Sequence, residues 1–162
     1  MKERLDWNEY FLNMAYLVAM RSPDPMTHNG AVIVGPNNEV ISTGYNGFPM
    51  GVEHKAERMG RPEKYFWMSH SEVNALYLCP IRPVGCKMYV TGLPCADCAR
   101  GIIQSGIVEV YIDANKDWID NQEKWLESCR RTVEMFKEAD VKVSEIGVKL
   151  VQIERYQNGK YL

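Results

Sequence analysis

The 162-residue sequence lacks an apolar run of the ~18 residues that a transmembrane helix requires. Its first residues, Met1 to Asp6, are mostly charged and contain no apolar segment of the kind found in secretory leaders. We therefore expect neither a membrane span nor export. The prediction is a cytoplasmic protein, located in the host cytoplasm if the gene is viral.

An excess of basic residues is also absent. The chain contains 19 Lys and Arg against 21 Asp and Glu, which gives a formal net charge of −2. Tight, sequence-independent binding of long nucleic acid needs a basic stripe, and the sequence shows none. A small anionic ligand remains compatible with this balance, because one or two well-placed cations suffice to bind it.

Cysteine is scarce and odd in number, which argues against a disulfide framework. Two of the five cysteines, Cys95 and Cys98, form a C-x-x-C pair that is suited to metal binding. The others lie among apolar neighbours on predicted elements, and we expect them to be buried and unreactive. They are Cys79, Cys86 and Cys129.

Hydrophobic periodicity predicts alternating helices and strands. A helix over 5–20 precedes a hairpin over 31–43, and a long Gly- and Pro-rich loop follows over 44–69. The later elements are helices at 70–79, 95–104 and 121–138 and strands at 86–91, 107–112 and 141–143, whereas 147–162 shows no clear pattern. This order predicts one α/β domain over 1–162, with a mixed five-stranded sheet covered by helices on two faces.

Two short motifs fall at the starts of predicted helices, where open α/β sheets bind ligands. They are His70-Ser71-Glu72 and Pro94-Cys95-Ala96-Asp97-Cys98. Cys95 and Cys98 are three residues apart, so their sulfurs share one face of a first helical turn, whose positive end favours thiolates. With His70 as the third ligand, the set predicts one zinc ion with a position open to water.

The pattern H-x-E…P-C-x-x-C is the signature of zinc nucleobase deaminases. Bound zinc lowers the pKa of a coordinated water from ~15.7 toward ~7. Glu72 is not a metal ligand in this pattern, and we expect it to carry protons from the water to the ring nitrogen and to the departing ammonia. Pro94 fits the entry of the second helix.

Two alternatives stay open at this point. The first is a non-catalytic, zinc-stabilised binding module, whose metal would take a fourth ligand such as His28 or His54 and in which Glu72 would have no task. The second is a deaminase of tRNA adenosine or of another nucleic acid, which would want a basic groove that the charge balance does not favour.

Four further segments make the chain resemble the deoxycytidylate (dCMP) deaminase family. They are R-S-P-D-P (21–25), N-G-A-V-I-V (29–34), G-Y-N-G-F-P (44–49) and G-C-K-M-Y-V (85–90), and the similarity runs from about Arg21 to about Lys116, with a zinc-motif core at about 21–118. The resemblance implies a three-layer α/β/α cytidine-deaminase-like fold and hydrolysis of dCMP to dUMP and ammonia, which supplies thymidylate synthesis. It also implies a homo-oligomer, expected to be a hexamer, that dCTP activates and dTTP inhibits, with Mg²⁺ accompanying the triphosphate.

The resemblance further implies roles for individual residues. Asn46 would bond the sugar hydroxyl, the Ser71 N–H would donate to the pyrimidine 2-oxo group, and Arg21 would hold the 5′-phosphate. Asn29 and Pro94 would line the pocket, and Lys116 and Trp118 would contact substrate or a neighbouring subunit. The effector site would use His28, Gly44, Tyr45, Gly47, Glu53 and Arg58.

Simpler explanations exist for several of these residues. Asn-Gly is a strong turn former, Asn29 could cap a loop, and Arg21 could be a solvated arginine. A loop that closes an oligomer interface would explain the effector candidates equally well.

Some family members carry a second, structural zinc site built from cysteines ahead of the catalytic motif. This chain has no cysteine before Cys79. We therefore expect one zinc ion per subunit.

Overall fold

The computed structural model describes residues 4–114, 123–158 and 160–161. Its helices are α1 (Trp7–Ala19), α2 (Lys64–Trp67), α3 (Ser71–Tyr77), α4 (Ala96–Ser105) and α5 (Glu123–Glu138), with a 3-10 turn at Ala56–Arg58. Its strands are β1 (Gly30–Val34), β2 (Val40–Tyr45), β3 (Lys87–Val90), β4 (Glu109–Asp113), β5 (Lys142–Ile146), β6 (Tyr156–Gln157) and β7 (Lys160–Tyr161).

One sheet of five strands has the order β2-β1-β3-β4-β5. β1 pairs antiparallel with β2 and with β3, whereas β3, β4 and β5 are parallel to one another. The short strands β6 and β7 form a separate hairpin. The mixed five-stranded sheet predicted from the sequence is confirmed.

Helices cover both faces of this sheet, which makes three layers. β1 is buried along its whole length because its side chains alternate between two cores. Ala31 and Ile33 pack in the core that α3, α4 and α5 share, whereas Val32 and Val34 pack against α1. The predicted α/β/α architecture is therefore present.

The ends of the elements differ from the sequence predictions by up to three residues. α1 begins at Trp7 rather than at residue 5 because Asp6 and Glu9 form a capping box, in which the Glu9 N–H donates to Asp6 Oδ1 at 2.8 Å. Cys86 and Cys129 are buried as expected, but Cys79 is only partly buried against the same core. Within the described ranges, no helix is long and apolar enough to cross a bilayer.

The sequence analysis predicted one long loop over 44–69, and the structure corrects this prediction. Gly44 and Tyr45 belong to β2, and two helical segments, the 3-10 turn and α2, interrupt the remainder. Gly47 and Ser69 close this segment as an isolated bridge, with N–H···O distances of 3.0 and 2.8 Å. The strand continues to Tyr45 because Tyr45 pairs with Gly30 of β1, and the Asn74 side chain of α3 also donates to the Tyr45 carbonyl at 2.8 Å.

Close packing explains the glycine at position 44. A Cβ on Gly44 would lie 2.3 Å from the backbone oxygen of Ser71 and 2.3 Å from the backbone nitrogen of Ala75. Both atoms belong to α3, so only glycine lets this helix lie directly on β2. Packing alone therefore explains the glycine at position 44, and no bound ligand is needed to explain it. An effector role for Gly44 stays a prediction.

Replacing Gly44 with alanine should therefore destabilise the protein by about 1–3 kcal/mol, the usual cost of overpacking a filled interior. Gly60→Ala is the matched control, because no atom lies within 4 Å of a Cβ at that position, and it should change stability by less than about 1 kcal/mol. Urea denaturation of both variants measures the difference. Equal stabilities would show that α3 does not depend on the missing Cβ.

Candidate metal centre

The two motif segments meet because α3 and α4 begin at the same edge of the sheet. His70 is the residue before α3 and Cys95 the residue before α4, and both have extended backbones (φ −73°, ψ 158° and φ −71°, ψ 169°). Both helices pack on the same face of the sheet, in one core. Their N-termini therefore converge near the carboxyl end of β3, which is where parallel strands place ligand sites.

Three donor atoms form a compact triangle at this point. His70 Nδ1 lies 3.4 Å from Cys95 Sγ and 3.3 Å from Cys98 Sγ, and the two sulfurs are 3.5 Å apart. Tetrahedral zinc with ordinary bond lengths separates its ligands by about 3.6 Å (N···S) and about 3.8 Å (S···S). The observed triangle is close to those separations, so the nitrogen–sulfur set fits a zinc ion.

Only these three residues form such a group among the described His, Cys, Asp and Glu side chains. His28 and His54, the candidates for a fourth ligand, are not part of it. The His54 ring instead stacks on Phe48, with ring centroids 4.7 Å apart. Three protein ligands are the number typical of catalytic rather than structural zinc sites.

The three donor groups strongly perturb one another's pKa values. The hydrogen bond between the two sulfurs is the main reason why the pKa of Cys95 falls to about 4, against the opposing effect of burial. The hydrogen bond with Cys95 raises the pKa of His70 to about 9, with burial again opposing and the Glu72 carboxylate assisting. The pKa of the Cys98 thiol is raised, first by its hydrogen bond to Cys95 and then by burial. Because zinc ligands must be deprotonated, metal binding at this cluster would release protons.

Glu72 lies beside the triangle and is buried. Its Oε2 accepts a hydrogen bond from the Ser71 hydroxyl at 2.8 Å, and its charge contributes to the raised pKa values of His70 and Cys98. As the first residue of α3, Ser71 carries one of the N–H groups that a helix start leaves without an intrahelical partner. The structure thus places a carboxylate and a directed N–H donor next to the three metal-ligand candidates.

Asn29 and Asn46, two predicted substrate residues, meet in one hydrogen-bonded network. The Asn29 N–H donates to Asn46 Oδ1 at 2.8 Å, and the Thr91 hydroxyl donates to Asn29 Oδ1 at 3.2 Å. Asn46 Nδ2 donates to the Thr27 carbonyl at 2.9 Å and to Asp24 Oδ2 at 3.4 Å. Loop bracing of the kind considered from the sequence is therefore real, and the substrate roles of both asparagines stay predictions.

A buried ion pair braces this network, and the sequence analysis missed it. Lys64 Nζ of α2 lies 2.6 Å from Asp24 Oδ2, and both side chains are almost fully buried. Burial alone would raise the pKa of Asp24, but the hydrogen bond from Lys64 and the N–H groups of Met26 and Thr27 bring that pKa below its usual value. Asp24 therefore joins α2 to the loop after α1 and to Asn46.

The remaining substrate candidates occupy different settings. Arg21 is exposed just after α1, and Pro94 is buried directly before Cys95. Lys116 and Trp118 lie outside the described residues.

The effector candidates lie in several segments of the chain. Gly44 and Tyr45 lie in β2, and Gly47 is buried at the bridge to Ser69. Elsewhere, exposed Glu53 pairs with Lys55 at 3.1 Å, and the Arg58 guanidinium lies 3.9 Å from the centroid of the Trp67 ring. His28 is exposed near the Asp24 loop.

Comparisons with known proteins agree on one family. The family model described as the cytidine and deoxycytidylate deaminase zinc-binding region matches residues 5–114. Human deoxycytidylate deaminase is 40% identical over 119 residues, which cover 69% of this chain and 67% of the human protein. An uncharacterized deaminase from the luxG 3′ region of Aliivibrio fischeri is 36% identical over 146 residues, which cover 90% of this chain and 97% of that protein.

A solved structure shares the fold. The crystal structure of dCMP deaminase from the cyanophage S-TIM5, in complex with dCMP and dUMP, matches with a TM-score of 0.67 and 22% identity. The match covers 89% of this chain and 99% of the cyanophage chain. The three-layer arrangement around the mixed sheet is therefore common to both proteins.

The buried ion pair between Lys64 and Asp24 should contribute strongly to the stability of the fold. Lys64→Met should destabilise the protein by about 3–5 kcal/mol, because it leaves the Asp24 carboxylate buried without its cation. Lys55→Met removes the exposed partner of Glu53 and should cost less than about 1 kcal/mol. Chemical denaturation at pH 7 measures both, and a similar small loss in the two variants would contradict the bracing role of Lys64.

Proposed function

The chain belongs to the cytidine and deoxycytidylate deaminase family, and on this premise we propose that it hydrolyses dCMP to dUMP and ammonia, supplying dUMP for thymidylate synthesis. The observation that carries the proposal is the triangle of His70, Cys95 and Cys98 donor atoms with a buried Glu72 beside it. The family match, the deoxycytidylate deaminase relatives and the fold shared with the cyanophage enzyme support the choice of substrate.

His70 Nδ1 and the sulfurs of Cys95 and Cys98 would hold one zinc ion per subunit. When bound, zinc supplies Lewis acidity that makes an attacking water acidic near neutral pH. The chain's own part in the chemistry belongs to Glu72. Its carboxylate accepts a proton from the water, delivers it to the pyrimidine ring nitrogen, and assists departure of the amine as ammonia.

The neighbouring residues orient the nucleotide. The Ser71 N–H at the start of α3 donates to the 2-oxo group of the ring. Both Asn46 amide hydrogens are used within the protein, so its sugar contact is to accept a hydroxyl hydrogen at the remaining lone pair of Oδ1. Asn29 and Pro94 frame the pocket, and Arg21 holds the 5′-phosphate.

Regulation and assembly complete the proposal. The enzyme is a homo-oligomer, expected to be a hexamer, which dCTP activates and dTTP inhibits, with Mg²⁺ accompanying the triphosphate. Exposed apolar side chains along α1 and the C-terminal segment support self-association, since Leu17 is 49%, Met20 74% and Ile153 72% exposed. The family resemblance and the charged cluster of Glu53, Lys55 and Arg58 support an effector site near the 44–58 segment.

Glu72→Gln should lower kcat for dCMP by about 10²–10⁴-fold, because the amide has the shape of the carboxylate but cannot accept the proton. Zinc content, measured by atomic absorption, should stay at one ion per chain, whereas His70→Ala should lose the ion. Asp97→Asn is the matched control, since it removes an exposed carboxylate from the first turn of α4 and should keep near-normal kcat. More than a tenth of the normal kcat in Glu72→Gln would contradict the role of Glu72.

Arg21→Ala should lower kcat/KM for dCMP relative to deoxycytidine by roughly 10–100-fold, as expected for loss of a hydrogen bond to a charged group. Arg130→Ala, at an exposed position of α5, is the control and should leave that ratio unchanged. Ammonia release with dCMP, deoxycytidine, cytidine and a tRNA, each with and without dCTP or dTTP, provides the measurements. An unchanged ratio in Arg21→Ala would reject the phosphate contact, and release from tRNA alone would reject dCMP as the substrate.

A further inference from the structure

Two hydroxyl groups of α5 bind the backbone on either side of Cys95. Ser128 Oγ accepts the N–H of Ala96 at 2.9 Å, and Thr132 Oγ1 donates to the carbonyl of Pro94 at 2.9 Å. Ser128 and Thr132 are four residues apart, so they lie on one face of α5. Together they hold the peptide groups immediately before and after the cysteine.

The start of α4 needs such partners. A helix normally takes a Ser, Thr, Asp or Asn as its N-cap, whose oxygen satisfies an N–H of the first turn. The cap residue here is Cys95, which makes no side-chain oxygen cap and whose sulfur belongs to the donor triangle. A cap side chain reaches only the second or third N–H of a helix, so the N–H of Ala96, which is the first, needs another acceptor, and Ser128 of α5 supplies it.

The Thr132 hydroxyl satisfies a second backbone group near Cys95, the carbonyl of Pro94. Pro94 and Thr132 are buried, and Thr132 has no exposed surface at all. A carbonyl in such a place is costly if it lacks a donor, because burial removes the water that would replace one. The Thr132 hydroxyl supplies that donor.

We propose that Ser128 and Thr132 are positioning residues for Cys95, which hold its Sγ at the separations from His70 and Cys98 that a zinc ion requires. This inference rests on the zinc site of the proposed function. α5 is a suitable support because Cys129 and Phe136 anchor it in the core beneath the sheet. Its position is thus set by apolar packing and does not depend on the cation.

The double variant Ser128→Ala/Thr132→Val tests the proposal. It removes both hydroxyls while nearly keeping side-chain volume, and its affinity for Zn²⁺ should fall about 10-fold or more, as is typical when groups that orient metal ligands are lost. The affinity is measured by competition with a chromophoric chelator on protein whose fold is verified by circular dichroism. If the double variant does not fold, the two single variants are measured by the same criterion, each with an expected loss of at least about threefold.

Two controls separate hydrogen bonding from general destabilisation. Thr132→Ser keeps the hydroxyl but loses a methyl group, so its Zn²⁺ affinity should stay within twofold of the wild type. Phe136→Leu weakens the packing of α5 one turn further on without touching either hydroxyl, and it should also keep the affinity within twofold.

Unchanged affinity in the hydroxyl-free variants would overturn the inference, and so would an equal loss in Phe136→Leu. In both cases the proposed metal site would still hold, provided that the wild-type chain binds Zn²⁺ normally. A wild-type chain that binds no Zn²⁺ would overturn the site and this inference together.

Discussion

The convergence of two helix N-termini at one edge of the sheet is the constraint on which the site depends. α3 and α4 pack side by side on the same core, and the residues immediately before them, His70 and Cys95, are drawn to within 3.4 Å of each other. The close approach of α3 to β2 requires a residue without a Cβ at position 44. Apolar packing and a single glycine therefore help to set the geometry of the polar site.

The electrostatics of the triangle follow from the same convergence. Two buried thiols and the imidazole of His70 compete for protons at hydrogen-bonding distance, which is why the pKa of Cys95 falls while those of His70 and Cys98 rise. A cation relieves this conflict by taking the place of protons. Glu72 lies beside the triangle without being part of it.

Polar residues whose sequence suggests a surface position instead form buried hydrogen bonds that join neighbouring segments. Asp24 and Lys64 form a buried pair that also holds Asn46, and Asn46 in turn receives the N–H of Asn29. Hydrogen bonds thus join these segments, and no buried side-chain nitrogen or oxygen of the described residues lacks a partner, a condition for buried polar groups to rigidify a site rather than weaken it. The same logic applies where α5 meets the Cys95 turn.

Much of this protein was predictable from local patterns. The types of ligand, their places at helix starts and the order of helices and strands follow from short-range rules of spacing and periodicity, and the family resemblance drawn from the motifs is confirmed by the family match. Ends of elements were less accurate, because a cap such as Asp6 or a contact such as that of Asn74 with Tyr45 decides them. The partners of Lys64 and Thr132 carried no local signal, since they lie 40 and 38 residues away along the chain.

The sequence alone determined which atoms could bind a metal, because the C-x-x-C spacing places two sulfurs on one helical face whatever the surroundings. The motif also offered His70 as the third ligand, but only the tertiary structure decided that its Nδ1, 25 residues from Cys95 along the chain, lies within 3.4 Å of both sulfurs. No periodicity relates residues that far apart, and the distance between them is set by how two helices pack on one sheet.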